Sequence, residues 1–364
     1  MRILYFLFAV SFFFISCSSK LNNEPTDVNI DINSKADVTK AIVSIESICL
    51  LETNDSTLIG NVGSMEYFSN HIYLLDIFSN KSLFVFSDDG FFINRTLLGR
   101  GPKELINPYS FCLDKFSKEV FVWDQTLNTM FTFDIDLNYK SQIKYQRPIQ
   151  DFAILNKNEI LVQSQFYKDY IYKLYSSNFD TILGQYIEDY PSSGIAGLLR
   201  PISNNKRILL LAPWDYNVYI LANRKIHSEY YFDFGNYKLR KEECENGSVT
   251  SNWALINSGQ RVSSLYEIAE NRNFLLFHVY FNHKTIYYAY SIYNGIILRI
   301  NDYFENGFLP ICDVRGAIDN DLFFALVEPD EMRKFQNTTG KKYFKDEIKT
   351  TNNPYFMTFR IIMK

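Results

Sequence analysis

Ile72-Tyr73-Leu74-Leu75-Asp76, Ser79-Asn80-Lys81, Leu83-Phe84-Val85-Phe86 and Ser87-Asp88-Asp89-Gly90 follow one another as apolar run, polar turn, apolar run and tight turn. The pattern returns 48 residues later as Val120-Phe121-Val122-Trp123-Asp124, Leu127-Asn128, Met130-Phe131-Thr132-Phe133 and Asp134-Ile135-Asp136-Leu137-Asn138. β-Branched and aromatic runs bounded by Asp, Asn and Gly read as strands joined by hairpin turns. Weaker copies follow at similar spacing: 160–162 with 171–174, 208–211 with 218–221, and 274–277 with 286–290, which turns at Asn294-Gly295. Residues 322–327 begin a last copy.

A period near 50 residues with about four short strands per copy is the mark of a β-propeller. Each blade buries its faces only against its neighbours, so the ring must close. The expectation is an all-β, six-bladed propeller of four-stranded antiparallel blades spanning 35–364. A strand at 41–45 and the C-terminal strand at 355–361 are expected to share the closing blade. A sandwich would not repeat at this spacing, and a solenoid would need shorter repeats. Helical periodicity is missing almost everywhere. The exception is 239–269, charged at first and then mixed, which reads as a helical insertion or a long loop.

Composition agrees. The chain holds 26 Tyr and 32 Phe and is 47% hydrophobic, so it can build a large strand-rich core. The net charge is −4, and it becomes −5 without residues 1–16, whose only charge is Arg2. No basic face for nucleic acid is expected from that balance. Cys49, Cys112, Cys244 and Cys312 are scattered with no CxxC pair, which excludes a zinc ribbon or a thioredoxin-like motif. The apolar, strand-like contexts of Cys49, Cys112 and Cys312 suit buried free thiols.

The N-terminus sets the compartment. Met1-Arg2 precedes an uncharged run from Ile3 to Ile15, then Ser16-Cys17-Ser18-Ser19-Lys20. This is a basic start, a short apolar stretch and a small residue before a cleavage point. A Cys directly after the cut indicates a bacterial lipoprotein, with Cys17 as the lipid-attachment residue and 1–16 as the signal peptide. Phe14 stands where Leu is usual. The apolar run is too short to span a bilayer, which takes about 20 residues. Residues 17–34 read as a flexible tether. The mature chain is expected to be held to a membrane of the cell envelope, the outer membrane being the expected one, through its lipid.

The repeat segments resemble a family of six-bladed β-propeller lipoproteins abundant in Bacteroidetes, distantly like NHL-repeat propellers. The pieces that carry the resemblance are Leu51-Glu52-Thr53 with Leu58-Ile59-Gly60, and Gly99-Arg100-Gly101-Pro102-Lys103-Glu104-Leu105. Trp214-Asp215-Tyr216-Asn217-Val218-Tyr219 and Asn352-Asn353-Pro354-Tyr355 also match. The resemblance implies fold and compartment. It brings no activity.

Candidate chemistry is sparse. Gly99-Arg100-Gly101-Pro102 lacks the Gly-Lys-Ser/Thr ending of a phosphate loop, so it reads as an inter-blade turn across which Arg100 and Glu104 pair. Asp134-Ile135-Asp136-Leu137-Asn138 starts like a calcium loop, but Tyr139 and Tyr145 stand where an EF-hand needs Gly and Glu. Asp76, Asp124 and Asp215 end comparable strands. They read first as backbone caps, with a central calcium as the competing reading and no cofactor otherwise expected. His71, His227, His278 and His283 show no metal-ligand spacing, and no Gly-x-Ser-x-Gly elbow exists. Trp123, Trp214 and Tyr216 beside turns suit stacking on a sugar or a peptide side chain. With Arg100, Asp124 and Asp215 they form the expected ligand-binding set. The expected function is a non-enzymatic, membrane-anchored module that binds an envelope protein, peptide or glycan. A metal-dependent propeller hydrolase or lyase is the competing class.

Overall fold

The computed structural model describes residues 24–364 except 36, 165–169, 189–201, 205–206, 319–320 and 345–347. Six antiparallel sheets follow one another along the chain. Blade 1 comprises Val62–Phe68, His71–Asp76, Ser82–Ser87 and Phe92–Arg95. Blade 2 comprises Pro108–Asp114, Glu119–Asp124, Thr129–Asp134 and Tyr139–Lys144. Blade 3 runs Ile149–Asn156, Glu159–Ser164, Tyr170–Ser176 and Ile182–Glu188, and blade 4 runs Ile202–Asn204, Arg207–Leu210, Asn217–Ala222 and Lys225–Asp233. Blade 5 is Tyr266–Glu270, Phe274–Phe281, Lys284–Ser291 and Ile297–Arg299. Blade 6 joins Asp313–Ile318, Leu322–Val327 and Tyr355–Met363 to an N-terminal strand, Ala41–Leu50.

The expected all-β, six-bladed propeller with four-stranded blades is therefore what the chain forms. Its closure is also as expected. Ala41–Leu50 pairs antiparallel with Tyr355–Met363 from Ala41 opposite Met363 to Leu50 opposite Tyr355. Six apolar clusters fill the six gaps between blades. Tyr73, Leu75 and Val85 of blade 1 meet Phe111, Val122 and Phe131 of blade 2. The last gap seals the ring, with Phe324, Leu326 and Phe356 of blade 6 against Met65, Leu74 and Phe84 of blade 1. Blade faces are thus buried between sheets, as the hydrophobic effect requires of two-sided apolar strands.

Tight turns set the register within blades. Ser69-Asn70, Asn223-Arg224 and Asn282-His283 each place both central residues at positive φ. Such turns match the twist of the strands they join. The chain makes them without glycine.

Several segments depart from the sequence reading, among them the helices Asn301–Glu305 and Pro329–Thr339, which were not expected. The segment 17–34 is not all tether. Thr26–Asn29 adds to blade 4 as a fifth, parallel strand, with Thr26 opposite Tyr230 and Asn29 opposite Asp233. Val28, Ile30 and Ile32 enter the apolar cluster between blades 4 and 5. These three alternate with polar residues at a period of two, the pattern of a half-buried strand, and that short period lies among residues polar enough to hide it. The region 239–269 is also not one insertion. It holds two short helices, Lys241–Asn246 and Val249–Asn257, and then Tyr266–Glu270, the innermost strand of blade 5. A register shift between Tyr266 and Ala269, with Glu267 at φ 44°, breaks the alternation that would have marked that strand. Cys49, Cys112, Cys244 and Cys312 are free thiols. Cys17 and residues 1–16 lie outside the described residues.

Candidate ligand site on the upper face

In each blade the loop that enters the innermost strand and the loop joining the second and third strands lie at one end of the sheet. These loops together form one face of the disc, here the upper face. A cavity of about 980 Å³ opens there where blades 5, 6 and 1 meet. Its walls come from the linkers 51–61, 300–312 and 349–354 and from the adjoining strand ends, including Tyr287, Phe304, Asp313, Arg315 and Glu328.

Local sequence holds these walls in place. Asn353, fully buried, accepts from Ile59 N–H at 2.8 Å and donates to the carbonyls of Glu52 at 2.7 Å and Thr57 at 2.9 Å. That one amide fixes the linker from blade 6 to blade 1. Asn301 latches the next linker, accepting from Tyr287 N–H at 2.7 Å and donating to Thr285 O at 2.9 Å. Glu328 begins the helix Pro329–Thr339, with Pro329 at a position where the missing N–H costs nothing. The Glu328 side chain makes no capping bond to that helix.

A charged cluster forms the inner wall. Arg315 Nη1 donates to Glu267 Oε1 at 3.2 Å, and Arg315 Nη2 pairs with Asp313. Arg315 also donates to Val62 O at 3.3 Å, tying blade 6 to blade 1. Tyr287 Oη donates to Asp313 Oδ1 at 3.3 Å. His278 lies behind, 3% exposed, with Nδ1 4.0 Å from Glu267 Oε2 and neither ring nitrogen hydrogen-bonded. Burial pushes its pKa down to about 4, so the imidazole is neutral at physiological pH. Burial raises the Asp313 carboxyl against the pull of Arg315. Burial, and then Asp313, raises Glu328. Glu267 and Asp313 thus share the Arg315 guanidinium, with no second Lys or Arg among the described residues that line the cavity, and a cavity wall of this kind favours a positively charged guest.

The residues singled out in the sequence do not gather at this cavity. Trp123 is fully buried between blades 2 and 3, against Tyr145. Trp214 is 5% exposed and packs edge-on against Trp253 of the helix Val249–Asn257. Tyr216 is buried, donating to Val262 O at 2.9 Å and accepting from Leu239 N–H at 2.8 Å. None of the three is an exposed stacking platform, which corrects that expectation. Their surroundings are apolar enough to draw whole rings into the core.

The strand-end aspartates are backbone clamps. Asp124 accepts from the N–H groups of Ile106 at 2.6 Å, Asn107 at 2.8 Å and Leu127 at 2.8 Å. Asp76 repeats the arrangement with Gly60 at 2.9 Å and Ser79 at 2.8 Å. Asp215 accepts from Tyr216 N–H at 2.7 Å and Tyr219 Oη at 2.5 Å. Asp134 binds Asp136 and Asn138 N–H as an Asx turn. Arg100 is exposed on the upper face, and Glu104 accepts from Gly101 N–H at 2.7 Å where a pair with Arg100 was expected. Among the described residues, no group of three His, Cys, Asp or Glu side chains is placed to hold a metal ion.

Sequence reading missed Glu267, His278, Tyr287, Asp313, Arg315 and Glu328. The available signal was Asp313-Val314-Arg315, two charges at the period of a strand and so on one face. Nothing in the linear order links that strand to Glu267 or His278.

This geometry defines a six-bladed β-propeller with a polar, acidic cavity on one face. The chain belongs to the family described as Domain of unknown function (DUF4934), whose profile matches residues 25–360. A crystal structure of a Bacteroides fragilis protein described as a "putative exported protein" aligns with a TM-score of 0.77 at 19% identity, covering 94% of this chain and 100% of that one. A DUF4221 family member from Bacteroides vulgatus aligns with a TM-score of 0.56 at 10% identity, covering 89% and 99%. No curated protein matches the sequence. Among the described residues no helix is long and apolar enough to cross a membrane.

Proposed function

We propose that this protein is exported, anchored to the cell envelope through lipid on Cys17, and acts as a binding module whose ligand enters the upper-face cavity. The observation that carries the binding reading is the cavity of about 980 Å³ lined by Tyr287, Phe304, Asp313, Arg315 and Glu328. A volume of this size is that of ordinary ligand pockets. The described relative from Bacteroides fragilis supports export, and the Ser16-Cys17 junction supports the anchor. The hydrolase or lyase reading gains no support, because the carboxylates proposed to hold its metal are engaged by backbone N–H groups.

Cys17→Ala tests the anchor. The variant should lose acyl labelling and accumulate as uncleaved precursor. Complete partition with membranes would refute the lipid. Melting of the detergent-solubilised full chain against a panel of peptides, oligosaccharides and amines tests the cavity. A ligand should raise the melting temperature of the parent and not of Thr351→Trp, which blocks an exposed position on the cavity wall. Absence of any ligand, or one indifferent to Thr351→Trp, would refute this site.

A further inference from the structure

We propose that the upper-face cavity takes the side chain of a Lys or Arg carried by an extended polypeptide partner, whose flanking apolar residues seat on the rim residues Leu58 and Ile311 and on Phe78 and Phe308, exposed on the adjoining loops. The proposal rests on the binding reading above and names its partner class.

Charge is the first reason. The cavity is lined by Glu305, Asp313, Glu328 and Glu331, with Arg315 as the cation among its described lining residues. Arg315 is already shared by Asp313 and Glu267. The neighbouring imidazole is neutral and bonds to nothing, so it adds no positive charge. Exposed Lys334 takes Glu331 at 2.6 Å. Glu328 makes no capping bond to the helix it begins and lines the cavity. The wall therefore carries surplus negative charge in a partly desolvated hollow, where a guest cation is stabilised more than in water. Tyr287 and Phe304 supply aromatic walls for the stem of such a side chain.

The rim is the second, independent reason, and it decides between a free amine and a polypeptide. Leu58 is 49% exposed and Ile311 57%, and both line the cavity. Phe78 is 68% exposed on the neighbouring loop, which Asn80 ties to Leu58 O at 2.5 Å. Phe308 is 46% exposed on the linker that carries Ile311. A small amine would fill the cavity and leave these side chains in water. A peptide with apolar residues on both sides of its basic residue covers them, and exposed apolar groups gathered at a pocket mouth are a common mark of a protein contact.

The test uses the full chain in detergent and fluorescence anisotropy with labelled peptides of apolar-Lys-apolar pattern. Matched peptides carry Gln in place of Lys, and N-acetyl-lysine amide and butylamine serve as small amines. The Lys peptides should bind, and the Gln peptides about tenfold more weakly, the loss expected for one charge-assisted contact. Glu328→Gln and Ile311→Ser should each weaken the Lys peptide about tenfold with unchanged melting. Equal binding of Lys and Gln peptides overturns the proposal. So does a small amine that binds as tightly as the peptide, or a lack of effect of both substitutions. If a glycan binds in a manner sensitive to Thr351→Trp while no peptide does, this inference falls and the binding reading stands. If nothing binds, both fall.

Discussion

Ile32→Ala is expected to loosen the N-terminal strand from blade 4 and lower the melting temperature by about 3–7 °C. Ile32 is 2% exposed, and it shares the cluster between blades 4 and 5 with Phe232, Phe234 and Val262. Truncating a buried Ile to Ala costs about 2–5 kcal/mol, because lost transfer energy and a residual cavity add. Unfolding entropy near 2.1 cal/mol/K per residue gives a chain of this length about 0.7 kcal/mol per degree, so each kcal/mol moves the midpoint by about 1–2 °C. The loss has a ceiling, since the strand can leave the edge of blade 4 before the ring opens. Amide exchange separates the two events. Ile30 N–H donates to Asp233 O at 2.8 Å, and its protection should fall even where the melt changes little. Asp27, exposed on the same strand, is the control, and Asp27→Ala should melt with the parent. The reasoning fails if Ile32→Ala melts with the parent and leaves the protection of Ile30 unchanged.

Deleting residues 355–364 should abolish folding or cause aggregation, because Tyr355–Met363 is now seen between two other strands of blade 6 and its loss opens the ring; a truncated chain that melts like the parent refutes the closure. Asp124→Ala should cost about 3–5 kcal/mol in denaturant unfolding, since three N–H groups lose their buried acceptor at once, and a cost below about 1 kcal/mol would show that they find other partners. His278 gives a pH test. Its folded pKa is lowered from 6.5 to about 4 by burial, so the unfolded chain takes up a proton first as pH falls. The stability it contributes is present above pH 6.5 and is lost as pH falls toward 4, a swing of about 3 kcal/mol. Glu328, with a raised pKa, acts in the opposite sense in parent and variant alike. The stability of His278→Phe relative to the parent should therefore rise by about that amount between pH 7 and pH 4, and a difference that stays constant refutes a neutral buried imidazole.

How much of the fold could be read from the sequence depends on where each strand lies in its blade. The second and third strands are buried on both faces, so they are nearly continuous apolar runs, as in Leu83-Phe84-Val85-Phe86. Those runs carry the period and hence the propeller. The innermost and outermost strands face the channel or solvent on one side and read as mixed, as in Glu267 and Arg315 within blades 5 and 6. Asp76 and Asp124 were legible as strand ends because a carboxylate there serves the neighbouring backbone, a local interaction. Trp123 and Tyr216 were not legible as core, because an aromatic beside a turn looks the same whether another blade covers it or not.

The sequence by itself determined the repeat, the number of blades and the closing strand, since all follow from local periodicity and from the need of each blade for neighbours. Only the tertiary structure decided that Val28, Ile30 and Ile32 belong to the disc, and that Glu267, His278, Asp313 and Arg315 meet. Those contacts join residues far apart in the chain through the curvature of the ring, and no local pattern of side chains records which strands that curvature brings together.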